Sequence, residues 1–362
     1  MKKVGIITIN DNDNYGNRLQ NYAVQEILVK NKFETYTILN NVFWNNKEKS
    51  FEKKLLKLLK YFKGKIKRDF NNLINRERHK LFLNFNKNII YNKKTINSQY
   101  NTINNKYDYF IVGSDQVWNP NFRRLSDVDL LSFADSEKRI SFSASFGISE
   151  LPNKFKEKTK KELLKFKAIS VREDAGKNIV EDLTGRKDVE VLVDPTMLLT
   201  SKEWDKVSKK PKMLHSQKYI LNYFLGELSQ SRKEEINRVA KENDCEVIDI
   251  LDKKSPFYQT GPSEFLYLEK NAFLICTDSF HSCVFAILYN RPFVVFERED
   301  NTVSMNSRIE TLINKFQLEN RIFKNSIVEE NIKHDYTNAY KILEQERNKS
   351  MKFLKKALES KE

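Results

Sequence analysis

Cysteine and histidine are both scarce in this 362-residue chain, which holds three of the first and four of the second. Cys245, Cys276 and Cys283 form no Cys-x-x-Cys pair and no disulfide framework, which fits a reducing cytoplasm. No metal cage is visible in the sequence. Long apolar runs are missing as well: CVFAILY, from Cys283 to Tyr289, falls far short of the ~18 residues that a membrane span requires. The opening MKKVGIITIN reads straight into a strand, not into a signal peptide with a cleavage site. Low-complexity tracts and short internal repeats are absent. At 40% hydrophobic and 12% aromatic residues, the chain can bury real cores, which excludes wholesale disorder. These features describe a soluble cytoplasmic protein, and its length suggests two domains.

Positive charge is abundant. The formal net charge is +15 with a pI near 9.4, which favours anionic partners: phosphorylated small molecules, anionic membrane or nucleic acid. The segment FEKKLLKLLKYFKGKIKRDF, residues 51–70, alone carries a net +6. On a helix, Phe51, Leu55, Leu58, Leu59, Phe62 and Ile66 share one face with lysines opposite. Such a helix can lie on an anionic membrane, giving a peripheral contact through 51–70, or it can cover a sheet with its lysines solvated. No RNA- or DNA-binding module accompanies the charge, so no nucleic-acid partner is expected.

The hydrophobic pattern alternates strand and helix. VGIITI, TYTILN, DYFIVG, RISFSASFG and AISVRE read as short apolar strands separated by helical stretches. The alternation restarts with VEVLVDP and continues through YILNYFLG, CEVIDIL, FLICTD and RPFVVF. Parallel sheets covered on both faces follow from this pattern. The expected organisation is an α/β protein with an N-terminal Rossmann-like domain over 1–186 and a C-terminal one over 187–334. A basic helical insertion falls around 46–90, and a C-terminal helix over 335–362 can cross back onto the first domain. Two doubly wound halves would face one cleft, with ligands at the carboxyl ends of the strands.

Several of those strand ends carry polar residues. After the first strand, Asn14, Gly16 and Asn17 open a helix whose free N–H groups can receive a phosphate or carboxylate, or form an ordinary Asn-capped turn. Gly113, Ser114 and Asp115 end another strand, where glycine permits close backbone approach. Trp118 beyond them can wall a sugar face or serve as plain core. Arg172 leaves a strand beside Glu173, either to bind an anion by bidentate contacts or to pair internally. Asn306, Ser307 and Arg308 open a helix in the second half and repeat the anion-binding pattern. His281 heads the apolar helix after Thr277-Asp278-Ser279. At a buried helix start the dipole and desolvation disfavour the imidazolium. A neutral histidine there can act as a base, or as an acid once substrate anions raise its pKa. It can also be a capping-region residue.

These stretches, in this order, resemble the polysaccharide pyruvyl transferase family. NYGNRLQNYAVQ resembles its first loop and helix, and YDYFIVGSDQVWNP its middle motif. SVREDAG, LVDPTMLL, TDSFHSCVFAILYNRPFVVF and MNSRI follow, so the resemblance covers nearly the whole chain. It implies a GT-B-like fold of two Rossmann-type domains. It also implies transfer of the enolpyruvyl group of phosphoenolpyruvate onto two hydroxyls of a sugar in a surface-glycan precursor, giving a pyruvate ketal. His281 falls on the family's histidine and becomes the general acid or proton shuttle. Asp278 would orient it or a hydroxyl, and Arg172 and Arg308 would hold the donor's anionic groups. No metal or redox cofactor is called for, since phosphoenolpyruvate is a donor substrate. Ser279 stands where the family often has Arg, and Ser282 where it commonly has Gly.

Two further readings use the same residues. A GT-B glycosyltransferase with a nucleotide-sugar donor would explain the absent arginine. A binding or scaffold protein of a polysaccharide-assembly complex would need no working histidine. The acceptor in either enzyme is a glycan or a lipid-linked sugar.

Overall fold

Short runs of branched apolar residues make the strands, and the computed structural model shows them paired into two sheets. It describes residues 1–10, 13–40, 65–96, 101–123, 125–298 and 307–359. The strands of the first sheet are β1 (Lys3–Ile7), β2 (Glu34–Asn40), β3 (Tyr91–Ile96), β4 (Tyr109–Val112), β5 (Arg139–Ala144), β6 (Ala168–Val171) and β7 (Glu190–Val191). Their order is β3-β2-β1-β4-β5-β6-β7, and every pairing is parallel. The second sheet holds β8 (Tyr219–Tyr223), β9 (Glu246–Asp249), β10 (Leu274–Thr277) and β11 (Phe293–Val295) in the order β11-β10-β8-β9, also parallel. β4, β8 and β10 are buried along their whole lengths, as central strands covered on both faces must be.

The helices that matter below are α1 (Tyr15–Lys30), α2 (Lys65–Phe85), α3 (Asn153–Leu163), α4 (Asp174–Thr184), α5 (Gln230–Glu242), α6 (Pro262–Asn271), α7 (Phe280–Leu288), α8 (Ser307–Phe316) and α9 (Thr337–Leu358). α1 begins at Asn14, whose Oδ1 accepts the N–H of Asn17 at 3.1 Å. α4 ends at Gly185 in the left-handed conformation, φ 73°, where a side chain would be strained.

The two halves share one apolar core. Tyr15 stacks on Phe265 with centroids 4.7 Å apart, Tyr22 meets Trp204 at 5.6 Å, and Trp204 meets Phe285 at 5.1 Å. α9 returns to the first sheet: Phe353 stacks on Phe142, and Lys349 Nζ donates to the Val191 carbonyl at 2.9 Å.

Two details depart from the sequence reading. The strand at 189–195 was expected to open the second domain, yet Glu190 and Val191 pair with Ser170 and Val171, so the first sheet extends past residue 187. A strand's own pattern does not say which sheet edge it joins. β3 went unread because its sequence, YNKKTI, is polar, as an edge strand's can be. Residues 51–64 lie outside the described residues, and so do the side chains of 65–70, so the membrane-facing helix proposed there is not among the structural findings. No described helix is long and apolar enough to cross a membrane.

Candidate active site

In each sheet the strand order reverses once, between β1 and β4 in the first and between β8 and β10 in the second. Loops leaving the strand ends at such a point diverge and open a crevice. The two crevices face each other and form a cavity of about 290 Å³. The first domain contributes Ile9, Asn14, Asn17, Asp115 and Gln116. The second contributes Tyr223, Leu225, Asp278, Ser279, His281, Arg298 and Arg308.

His281 occupies the first turn of α7 and is only 7% exposed. Its ring lies flat against the start of α1: a Cβ placed on Gly16 would sit 2.1 Å from Nδ1 and 2.3 Å from Cε1. Gly16 is therefore required for close approach, and its surface is covered by the imidazole and not open to a phosphate. Nε2 has no hydrogen-bond partner among the described residues, and Asp194 Oδ2 lies 3.8 Å away. Burial lowers the imidazole pKa, against the pull of Asp194 and Asp115, while Arg172 and Arg308 add to the lowering. Burial therefore favours the neutral form of the ring.

Beneath it runs a buried ion network. Asp194 Oδ2 accepts from Arg172 Nη1 at 2.7 Å and from Ser114 Oγ at 2.8 Å. Its Oδ1 accepts from Thr196 N–H and Oγ1. Burial alone would raise this carboxyl, but Arg172, His281 and Thr196 hold it down at about 2. Arg172 Nη2 also reaches Asp115 Oδ1 at 3.2 Å, and its guanidinium lies 4.3 Å over the Phe280 ring. Arg172 thus pairs internally, behind the cavity wall, and is not available to a donor.

Arg308 does face the cavity. Asp115 Oδ1 lies 4.0 Å from its Nη1, and the guanidinium pKa is lowered to about 10 by burial and by Arg172. A buried cation held beside another cation gains most from an incoming anion. Arg298 is the second cation on the wall, and its Nε donates to Asp278 Oδ2 at 2.9 Å. The Asp278 carboxylate also accepts the N–H groups of Leu225 and Gly226 at 2.7 and 2.8 Å. Asp278 therefore shapes the loop after β8 and anchors Arg298. Asp194, not Asp278, is the carboxylate beside His281.

The remaining expectations divide as follows. Asn14, Asn17, Asp115 and Ser279 line the cavity with His281, Asp278 and Arg308. Gly113 and Ser114 do not: a Cβ on Gly113 (φ 123°) would meet the Phe142 carbonyl at 2.3 Å, and Ser114 is fully buried in the network under Asp194. Trp118 is core, packed against Phe146 and Phe166 with its indole N–H on the Asp129 carbonyl. Asn306 lies outside the described residues. Two functional candidates were missed. Asp194 had a signal, an aspartate before proline at the exit of VLVDP. Arg298 follows the strand PFVVF by two residues but sits in a charged run that hides it.

A family model described as polysaccharide pyruvyl transferase matches residues 14–301. The chain belongs to the polysaccharide pyruvyl transferase family. Membership makes it a transferase, and the match takes in the α1 start, the Asp115 loop, Asp194 and His281. No curated protein matches it. Among solved structures it is similar to a Listeria monocytogenes protein assigned as a UDP-N-acetylglucosamine 2-epimerase, with 11% identity, TM-score 0.51, 97% of this chain covered and 90% of that one. It is similar also to UDP-GlcNAc 2-epimerase from Neisseria meningitidis (12% identity, TM-score 0.47, 99% and 94% covered) and to E. coli ADP-heptose lps heptosyltransferase II (11%, 0.35, 96% and 99%). The likeness is one of fold, two Rossmann-like domains facing a cleft in the GT-B-like arrangement. Among the described residues no cluster of His, Cys, Asp and Glu is placed to hold a metal ion.

Proposed function

We propose that this cleft transfers the enolpyruvyl group of phosphoenolpyruvate to two hydroxyls of a sugar in a surface-glycan precursor, forming a pyruvate ketal and releasing inorganic phosphate. The observation that carries the reading is a buried His281 sharing one small cavity with Arg298 and Arg308. Phosphoenolpyruvate carries a carboxylate and a phosphate, and two cations on one wall suit both. Arg298 and Arg308 take the place of the arginine that Ser279 lacks.

In the reaction, the methylene carbon gains a proton and C2 becomes electrophilic. One sugar hydroxyl adds to C2 and loses its proton. The C2–O bond to phosphate breaks, and the second hydroxyl adds as it loses its own proton. Two protons leave the hydroxyls, one ends on carbon and one on phosphate, and no oxidation state changes. The chemistry therefore balances without a redox cofactor. His281 is the proton shuttle: neutral in the empty cleft, it takes up a proton when the bound anions raise its pKa, gives that proton to the methylene carbon, and then accepts the proton of the first hydroxyl, while the second hydroxyl's proton leaves on phosphate. Asp194 lies beside Nε2 to stabilise the imidazolium.

Calorimetric titration with phosphoenolpyruvate, run beside UDP- and GDP-sugars, tests the donor. Saturable phosphoenolpyruvate binding is expected, weaker by about 10-fold or more in Arg308→Ala. His281→Ala should keep most of that binding and lose turnover, read as phosphate release, by about 10²–10⁴-fold. Binding of a nucleotide-sugar in place of phosphoenolpyruvate, sensitive to Arg308→Ala, would overturn the donor assignment.

A further inference from the structure

α6 packs against both helices whose starts meet at His281. Its Phe265 stacks on Tyr15 at 4.7 Å, one residue before the Gly16 that touches the His281 ring. The same Phe265 meets Phe285 of α7 edge-on at 5.9 Å. One turn along α6, the Leu268 carbonyl accepts the Tyr219 hydroxyl of β8 at 2.9 Å. α6 is thereby held against α1, α7 and the second sheet together.

The next residue of α6 is a buried acid without a counter-charge. Glu269 is fully buried, and among the described residues no lysine, arginine or histidine pairs with it. Its Oε1 accepts the Ser282 hydroxyl at 2.5 Å, and its Oε2 has no hydrogen-bond partner among the described residues. Tyr219, Cys283 and Tyr289 are the titratable groups it acts on, and burial pushes all three upward, so none is a counter-ion. A lone carboxylate in such a place loses so much hydration that the group keeps its proton instead. Burial accordingly pushes the Glu269 carboxyl well above the usual carboxylate range.

Ser282 follows His281 in the first turn of α7 and is also fully buried. Its hydroxyl goes to another helix and not to its own backbone. Successive side chains leave an α-helix about 100° apart. A bond that holds Ser282 toward α6 therefore fixes the roll of α7, and with it the direction in which His281 leaves the helix. We propose that Glu269 and Ser282 are positioning residues: a neutral carboxylic acid on α6 and a hydroxyl on α7 form a buried latch that aims His281 into the cavity. The latch carries no net charge, so it holds the ring without adding to the field of Asp194, Asp115 and Arg172. Its consequence for catalysis rests on the reading of His281 as the proton shuttle; the aiming of the ring does not.

NMR of the His281 ring in the full chain tests it, with thermal melts and phosphoenolpyruvate titration alongside. Glu269→Gln keeps a neutral acceptor of the same shape, so the melting temperature and the His281 resonance should match wild type. Ser282→Ala removes the donor and should displace the resonance. Its phosphoenolpyruvate affinity should hold within about twofold, because Arg298 and Arg308 stay in place. Glu269→Leu combined with Ser282→Ala replaces both polar groups by apolar ones, so stability should recover toward wild type while the resonance stays displaced. That split separates aiming from support of the core. A Ser282→Ala resonance at the wild-type position overturns the proposal. So does a double variant whose resonance returns with its stability, or a Glu269→Gln protein that melts lower and moves the ring. A wild type that does not bind phosphoenolpyruvate removes the donor reading alone, since the resonances are compared in the unliganded protein.

Discussion

Replacing Gly16 with alanine probes the contact that fixes the histidine. At an ordinary position inside a helix this change stabilises, by roughly 0.5–1 kcal/mol, because glycine loses more backbone freedom on folding. Here the added methyl would stand 2.1 Å from His281 Nδ1 and 2.7 Å from Cγ. To restore contact at 3.4 Å the ring must retreat by roughly 1.3 Å. Overpacking of this kind costs about 1–3 kcal/mol, which outweighs the helix gain and leaves a net loss of about 1–2 kcal/mol. A catalytic group misplaced by about 1 Å costs on the order of 10²-fold in turnover.

Three readouts separate the causes. Thermal unfolding should shift down by a few degrees, about 1–4 °C. With only four histidines in the chain, the His281 imidazole resonance can be resolved by NMR, and it should move in Gly16→Ala. Phosphate release should fall by about two orders of magnitude. In a His281→Ala background the clash disappears, so Gly16→Ala should become stabilising, and the sign change is the coupling that a double-mutant cycle isolates. A Gly16→Ala protein as stable as wild type, with an unmoved His281 resonance, would refute the geometry.

Other substitutions test the network and the core. Arg172→Leu strands Asp194 and Asp115 as buried carboxylates and should cost about 3–5 kcal/mol in a denaturant titration, with Arg172→Lys recovering part. Acid should unfold the protein partly through Asp194. Its carboxyl sits at about 2 when folded, below its ordinary value, so its contribution is complete above pH ~4 and is lost as pH falls through 2. That contribution is on the order of 2 kcal/mol, and Asp194→Asn should flatten the acid limb of a stability–pH curve. Trp118→Phe removes the indole bond to Asp129 and should cost about 1 kcal/mol with no change in phosphoenolpyruvate affinity; a loss of affinity would return Trp118 to the cavity wall.

The sequence carried the strands and the switch-point logic because both are local. Four-residue apolar runs such as YFIV and FLIC announce buried parallel strands, and polar residues just beyond them announce strand ends that face a cleft. Hence Asn14, Asn17, Asp115, Asp278, Ser279, His281 and Arg308 were all found where the cavity is. What a local pattern does not contain is partnership. Arg172 and Arg308 look alike in sequence, each a strand-end or helix-start arginine. Only the fold brings Asp194 and Asp115 to Arg172 and turns it inward. Gly113 offers close backbone approach in the sequence, but the Phe142 carbonyl of the neighbouring strand fills the space beside it. β7 has two residues, too few for its own composition to choose a sheet.

The network also explains why the histidine tolerates its burial. Removing an imidazole from water lowers its pKa, and an isolated buried ring would be a poor proton acceptor. Two carboxylates within the site oppose that, but they are themselves held ionised by Arg172, which carries the positive charge out of the substrate's reach. Charge in the cleft is therefore arranged in two tiers. Asp194 and Arg172 from behind, with Asp115 at the cavity wall, set the proton affinity of His281. Arg298 and Arg308 remain on the open wall, where an anion can still improve their surroundings. Moving the fixed tier, as in Arg172→Leu, should disturb both stability and the His281 titration. Moving the open tier, as in Arg308→Ala, should weaken anion binding while relieving a buried cation of its neighbour. The two variants shift stability in opposite senses from one cluster, a contrast that a simple surface ion pair does not produce.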